Sequence, residues 1–255
     1  MIVGIIPARF ASTRLLGKPL ARIGGKPMIQ HTYESAKKSK ILNDVIIAVD
    51  DEKLYDVISS FGGKVKMTSK DIKTGSDRIA AVAMDIPDAD IIVNIQGDEP
   101  FIPGKMIDEA IAPLLFDRQV EVATLAKKIT TVEELRSPAV VKVVFDYNNF
   151  ALYFSRSPIP FVRDARTNLE RVRTGLLYKH IGLYVYRRES LFKFTSLKAT
   201  DLEQIEKLEQ LRMLENSMKI KIVETEMESF SVDTPEDLEF ARKYYEKYVK
   251  AEKNK

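Results

Sequence analysis

The sequence predicts an α/β fold: a Rossmann-like, mostly parallel sheet with helices on both faces, carrying an inserted antiparallel β excursion. Short, almost wholly apolar runs alternate with helix-length amphipathic segments through the first half of the chain, the pattern of parallel strands buried on both faces. From about Pro138 the texture changes to stretches rich in aromatic and β-branched residues, which favour antiparallel strands. Helical periodicity then returns toward the end. The 255 residues read as one domain, 1–255, with the β-rich excursion at about 138–190.

Each element has a local reason. Met1–Ile6 is a short apolar run ended by Pro7 and reads as the first strand,. Pro27 to about Ser39 reads as a helix with proline in its first turn,. Asp44–Val49 is a strand closed by Asp50 and Asp51, and DEKLYDVISSFGG is a helix stopped at Gly62 and Gly63,. Lys64–Met67 is a short strand, Ser76–Asp85 a helix, and Ile91–Ile95 a strong strand leading into QGDEP, Gln96–Pro100. Gly104–Phe116 is a helix and Glu121–Lys127 a strand. In the excursion AVVKVVFD, FALYFSR and HIGLYVYR are strands. DLEQIEKLEQLRMLEN is predicted as one amphipathic helix, with Leu202, Ile205, Leu208 and Leu211 at helical spacing and a capping box from Thr200 and Glu203,. KIKIVET is a strand, and Thr234-Pro235-Glu236-Asp237 opens a last helix with threonine as cap and proline at the first helical position,. KAEKNK reads as a loose tail,.

Composition removes several classes of function. Forty cations stand against 37 anions, a net charge of +3, too balanced for a nucleic-acid binder or a membrane-surface protein. The absence of cysteine excludes disulfides, thiolate chemistry and Cys-based zinc sites, and two histidines, His31 and His180, exclude a His-rich metal centre,. No apolar run approaches the roughly 20 residues that span a bilayer. MIVGII is too short for a signal-peptide core and has no basic flank,, so the expected location is the cytoplasm.

Binding charge must therefore be local, and PARFASTRLLGKPL, Pro7–Leu20, concentrates it: Arg9, Arg14 and Lys18 on one loop. The ordinary reading of such a run is a solvated surface. Its position directly after a buried strand argues otherwise, because ligands of parallel sheets bind beyond the carboxyl ends of the strands. Gly17 and the small Ala11-Ser12-Thr13 let backbone N–H groups approach an anion. Arginines offer bidentate phosphate contacts and lysine a point charge. The pattern is that of a polyphosphate site, although Ser12 and Pro19 stand where a Walker loop needs glycine and Ser/Thr,. QGDEP lies on the same expected edge. Magnesium takes one or two carboxylates plus phosphate oxygens and water, which makes Asp98 a metal-ligand candidate, with Glu99 holding the turn. Asp233, after the last strand, is the second candidate. A turn former and part of a helix cap are the respective structural alternatives. Lys73-Thr74-Gly75-Ser76 with Arg78 forms a plausible further nucleotide loop.

PARFASTRLLGKPL, NIQGDEPFIP, ALYFSRSPIP, KHIGLYVYR, LEQLR and VDTPEDLE, in this order from Val3 to about Arg242, resemble the 3-deoxy-manno-octulosonate cytidylyltransferases (CMP-Kdo synthetases). Phe10 and Leu16 depart from the family's usual Tyr and Pro. The related sialic-acid enzymes share the Pro-Ala-Arg start but lack the STRL-x-GKPL continuation. The resemblance implies a nucleotidyltransferase-type fold and a magnesium-dependent transfer of CMP from CTP to the sugar acid Kdo, with release of pyrophosphate, as the activation step for lipopolysaccharide synthesis. It implies a homodimer in contact through the excursion. It implies that Arg9, Ser12, Arg14 and Lys18 hold the nucleotide; Thr74, Ser76 and Arg78 stay nucleotide candidates on the residues of their loop alone. It assigns Asp98 and Asp233 to magnesium, makes these two with Arg14 and Lys18 the catalytic set, and lines the sugar with Gln96, Arg156, His180, Tyr184, Glu209 and Gln210. On the residues alone, the last five have structural alternatives: a strand-end charge, a satisfied histidine, sheet packing and a solvated helix face. Rival functions are a cytidylyltransferase for another sugar acid or an amino analogue of Kdo, and a non-catalytic nucleotide-binding regulator, against which the pair Asp98 and Asp233 argues.

Overall fold

The structure, a computed structural model, describes residues 1–11, Leu15 and 17–250. The expectations placed on Ser12 and Arg14, and most of the predicted loose tail, lie outside the described residues. The chain divides into two compact units, Met1–Asp108 with Glu228–Lys255, and Glu109–Met227.

The first unit runs β1 (Ile2–Ala8), the short pair β2 (Arg22–Ile23) and β3 (Lys26–Pro27), α1 (Met28–Ala36), β4 (Asp44–Val49), α2 (Glu52–Ser60), β5 (Val65–Met67), α3 (Gly75–Met84) and β6 (Ile91–Asn94). The chain passes to the second unit within α4 (Gly104–Phe116). Its sheet has the order β6-β1-β4-β5, and the pairings are parallel. The apolar runs are buried as their composition requires: Ile5, Ile47 and Val93 are wholly shielded from solvent. Two of these helices, α2 and α3, start where capping side chains stand. Asp51 accepts from the Lys53 N–H at 2.9 Å to open α2, and Thr74 accepts from the Asp77 N–H at 3.0 Å to open α3. From β1 the chain steps outward through β4 to β5, then returns to place β6 on the other side of β1. That reversal parts the loops after β1 and β6 and leaves a crevice at the carboxyl edge.

The second unit comprises β7 (Val122–Lys128), α5 (Val132–Arg136), β8 (Lys142–Phe145), β9 (Ala151–Ser155), α6 (Asn168–Arg173), β10 (Tyr178–Arg187), α7 (Arg188–Ser196), α8 (Asp201–Glu206), α9 (Gln210–Glu215) and β11 (Ile220–Glu224). β7 pairs with β11 in parallel and with β10 antiparallel, and β8 pairs antiparallel with both β10 and β9. The three aromatic and β-branched stretches thus form the antiparallel strands they predict.

The single amphipathic helix predicted over DLEQIEKLEQLRMLEN does not form. It is broken into α8 and α9 at Lys207, which takes the left-handed conformation with φ 54°. The physical reason is a buried ion pair. Arg212 donates from Nε and Nη2 to Glu203 at 2.8 and 2.5 Å. In one continuous helix, residues nine apart would lie about 180° around and about 13 Å along the axis. Leu208 and Leu211 stay buried, whereas Leu202 and Ile205 face outward. The predicted capping box stands at the start of α8, with Glu203 Oε2 accepting from the Thr200 N–H at 3.1 Å.

The first unit closes with α10 (Pro235–Tyr244). Here the box is complete, Thr234 Oγ1 accepting from the Asp237 N–H and Asp237 Oδ2 from the Thr234 N–H. Leu238, Ala241 and Tyr245 pack with Ile23, Met28 and Val232. His31 belongs to this packing: its Nε2 lies 2.7 Å from the Ile23 carbonyl, and its ring meets Phe101 and Tyr245 edge-on.

Candidate active site

A cavity of about 370 Å³ opens at the carboxyl edge of the first unit, lined by the end of β1 with Arg9 and Ala11, by Lys18, by Gln96–Asp98 after β6, and by Asp233. The loop after Ile6 and the loop after Ile95 therefore face one pocket, as the sequence predicts. Two glycines shape it. A Cβ on Gly97 would stand 2.8 Å from the Pro7 carbonyl, so only glycine lets the two strand ends approach this closely. Gly17 takes φ 65° and opens a single 3-10 turn, Lys18–Leu20, anchored by the Leu20 N–H on the Gly17 carbonyl at 2.8 Å and by buried Pro19.

That turn aims Lys18 at two carboxylates. Its Nζ donates to Asp98 Oδ2 at 2.6 Å and to Asp233 Oδ1 at 2.9 Å. The Val232 N–H on the Asp98 carbonyl, 2.9 Å, brings the two aspartates side by side. Burial acts to lower the Lys18 pKa, but the charges and hydrogen bonds of Asp98 and Asp233 outweigh it and hold the ammonium above its ordinary value. The α10 cap is made by Thr234 and Asp237, while the Asp233 carboxylate accepts from Lys18, so the helix-cap alternative does not account for Asp233. Glu99 closes the turn through its backbone N–H, which donates to the Gln96 carbonyl at 3.2 Å. It is buried, accepts from the Ser229 hydroxyl at 2.5 Å, and burial pushes its carboxyl up to about 7.

Nothing in the spacing singles out Asp50, yet it braces Arg9 at the mouth of the opening loop. Its carboxylate, buried at the end of β4, accepts from the Phe10 N–H at 3.2 Å, from Arg9 Nε at 3.4 Å and from Arg78 Nη2 at 3.0 Å. Arg9 Nη1 in turn donates to the Lys73 carbonyl at 2.7 Å. Arg78 is wholly buried and also donates to the Thr68 hydroxyl and the Ile72 carbonyl. Thr74 caps α3 and Ser76 is buried in its first turn. Among the described residues, Thr74, Ser76 and Arg78 do not line the cavity; they and Asp50 fix the segment against which Arg9 is braced. The doublet Asp50-Asp51 carried a signal: Asp51 is spent on capping α2, which leaves its neighbour for another task.

Gln96 lines the first unit's cavity. The other expected sugar residues belong to the second unit. His180 stands half-buried on β10 with its Nε2 2.9 Å from Thr124 Oγ1, and loss of solvation holds its imidazole down at about 3, hence neutral at physiological pH. Thr124 Oγ1 also lies 2.8 Å from the Leu183 carbonyl; with its one proton given to that carbonyl it accepts from a protonated Nε2. The Tyr184 ring lies 5.3 Å from His180 and 5.8 Å from Tyr186. Its hydroxyl is buried without a hydrogen bond of ordinary geometry. Burial, then Tyr186 and the Glu209 charge, push it well above the usual phenol range. The structure thus groups His180, Tyr184 and Glu209, with Gln210 opening α9 beside them. Arg156 is committed differently. Its guanidinium donates to the carbonyls of Glu206 (2.8 Å), Pro138 (2.9 Å) and Lys207 (3.2 Å), so it caps the carboxyl end of α8.

Residues 3–220 match the cytidylyltransferase family. Over 242 residues the chain is 54% identical to the 3-deoxy-manno-octulosonate cytidylyltransferase of Geobacter sulfurreducens, covering 93% of this chain and 96% of the relative. The chain belongs to the 3-deoxy-manno-octulosonate cytidylyltransferase family. The family member of Solibacter usitatus is 50% identical over 238 residues, 93% of this chain and 92% of its own. A solved structure of CMP:2-keto-3-deoxy-manno-octonic acid synthetase complexed with CTP superposes with a TM-score of 0.89 at 39% identity, over 99% of both chains. The 4-diphosphocytidyl-2C-methyl-D-erythritol synthase of Anaerococcus prevotii, 14% identical with a TM-score of 0.62 over 96% of both chains, shares the fold.

For a cytidylyltransferase of this family the arrangement is chemically apt. Asp98 and Asp233 offer hard carboxylate oxygens that converge on one point, the Lys18 nitrogen. That donor set fits Mg²⁺, which needs only one or two carboxylates when phosphate and water complete its shell.

Proposed function

We propose that this chain is an Mg²⁺-dependent transferase that moves CMP from CTP to Kdo, giving CMP-Kdo and pyrophosphate, the activation of Kdo for lipopolysaccharide synthesis. The observation that carries the reading is the convergence of Lys18, Asp98 and Asp233 in one cavity at the carboxyl edge of the sheet, in a chain 54% identical to a cytidylyltransferase of that name. The anomeric hydroxyl of Kdo attacks the α-phosphorus in line. A new P–O bond forms, the bond from the α-phosphorus to the bridging oxygen breaks with its electron pair leaving on pyrophosphate, and the hydroxyl proton passes to solvent water. Charge spreads over phosphoryl oxygens, so the protein's task is positioning and electrostatics. Arg9 and Lys18, with Arg14 by family resemblance, neutralise the triphosphate and the leaving pyrophosphate. Asp98 and Asp233 would hold Mg²⁺, whose contribution when bound is Lewis-acid activation. His180, being neutral, serves the sugar as a hydrogen-bonding group rather than a cation. Glu209 and Gln210 offer hydroxyl partners, and Arg156, with three of its five guanidinium N–H groups on backbone carbonyls, offers the other two to the sugar carboxylate.

Homodimerisation and a cytoplasmic location belong to the same reading. The second unit exposes Tyr147, Leu152, Phe161 and Leu176, an apolar surface suited to self-association. Among the described residues, no helix is long and apolar enough to cross a membrane.

The test is pyrophosphate release measured with each of the four ribonucleoside triphosphates, Mg²⁺ and a panel of sugar acids including Kdo and its amino analogue. Release with CTP and Kdo alone is expected. Release that ignores the sugar acid would refute the transferase reading, and a clear preference for the amino analogue would reassign the acceptor.

A further inference from the structure

We propose that Lys18 plugs the metal position in the nucleotide-free protein: its ammonium holds the point between Asp98 and Asp233 that the divalent cation needs, and yields it only when a triphosphate draws the side chain away. The proposal rests on the reading that these two aspartates are the metal ligands.

The distances carry it. The nitrogen stands 2.6 Å from one carboxylate and 2.9 Å from the other. A magnesium ion bound to the same oxygens would sit about 2.0–2.1 Å from each, overlapping the space the ammonium fills. The two cations cannot share the pair. Nor is the contact a loose surface bridge: the Lys18, Asp98 and Asp233 side chains are 15%, 24% and 31% exposed, so water screens it less than it would an exposed pair. The anchor and the head of the side chain are also separable. Gly17 and buried Pro19 pin the backbone of the 3-10 turn, while the four-carbon stem can swing without disturbing it. The competing anion has a place to bind, because the same cavity continues to Arg9 and Ala11 on the opening loop. A triphosphate there offers Lys18 more negative charge than the two carboxylates do. Once the ammonium leaves, the point between Asp98 Oδ2 and Asp233 Oδ1 that it filled is vacated for a divalent ion. By linkage, whatever factor the nucleotide adds to metal affinity the metal adds to nucleotide affinity, so the nucleotide and the metal load together.

Metal binding to the nucleotide-free protein separates this from simple charge balance. Mn²⁺ is the probe, read by loss of its free-ion electron paramagnetic resonance signal. Lys18→Met and Lys18→Gln should each bind Mn²⁺ at least about tenfold more tightly than the unmodified protein, and both are checked for folding by their unfolding midpoints. Arg9→Gln removes a cation of the same cavity that does not touch the pair, and should stay within about threefold of the unmodified protein. Equal Mn²⁺ affinity in the unmodified and Lys18 proteins, absence of binding from all of them, or an Arg9→Gln gain as large as the Lys18→Met gain would overturn the plug. The underlying metal reading fails separately: adding Asp98→Asn to Lys18→Met should abolish the tight binding, and undiminished affinity in that double variant would place the ion elsewhere.

Discussion

Asp50 touches three groups at once, and its loss should be felt in two different measurements. Asp50→Asn leaves the buried Arg78 guanidinium without its counter-charge, at a cost of about 3–5 kcal/mol in unfolding free energy. Combining it with Arg78→Met removes both charges and should recover much of that stability. CTP affinity should not recover, because the Arg9 and Phe10 contacts remain weakened. Equilibrium CTP binding by the double variant decides: unimpaired affinity would make Asp50 a purely structural residue. His180 makes a second prediction at this scale. Its folded-state pKa, about 3, lies below the ordinary 6.5, so the unfolded chain takes up the proton first. The stability it protects is fully present above about pH 6.5 and is lost as the pH falls toward 3. By pH 5 the loss reaches about 2 kcal/mol. Urea unfolding of His180→Gln at pH 7.5 and 5.0 should show a drop smaller by that amount, and an identical drop would mean that His180 does not titrate between the two states. His180 illustrates what a sequence shows: its place in HIGLYVYR marks a strand, but its neutrality comes from a desolvation that only folding creates.

At the scale of elements, the features read most directly from sequence were those with local causes. Asp44–Val49 and Gly104–Phe116 have the same bounds in sequence and structure, because an apolar run between polar stops and a helix-length amphipathic segment need no distant partner to be recognised. Thr234 and Asp237 close their capping box as their spacing dictates. The α8–α9 break was hidden because its cause is not periodic. Leu202, Ile205, Leu208 and Leu211 keep helical spacing across it, while the Glu203–Arg212 pair and the left-handed Lys207 decide the path. Lys207 tests this. A β-branched residue is poorly tolerated at φ 54°,, so Lys207→Ile should cost about 1–2 kcal/mol, while Lys207→Gly should be neutral or stabilising. The continuous helix would reverse the order, glycine costing about 1 kcal/mol and isoleucine less. Unfolding free energies of the two variants distinguish the cases.

Across the whole molecule, one topological fact does the positioning. Reversal of strand order about β1 parts the loops after β1 and β6, and the chemistry collects there. This much follows from the alternation of apolar runs and helices, and it put the opening loop and QGDEP on one pocket in advance. The pairing of Asp98 with Asp233, 135 positions away (233 − 98), was not fixed by spacing. It depends on the Val232 N–H reaching the Asp98 carbonyl and on α10 being capped by other residues, both products of tertiary packing. On the proposed function, these two carboxylates form one cation centre for phosphoryl transfer. The most direct test is turnover, with its Mg²⁺ dependence, for Asp98→Asn, Asp233→Asn and the double variant. Asparagine keeps size and capping ability, so the fold should persist. Each single change should lower turnover by at least about a hundredfold, and the double variant should be scarcely worse than either, because one centre is lost only once. An Asp233→Asn enzyme with full turnover and an unchanged Mg²⁺ requirement would contradict the claim.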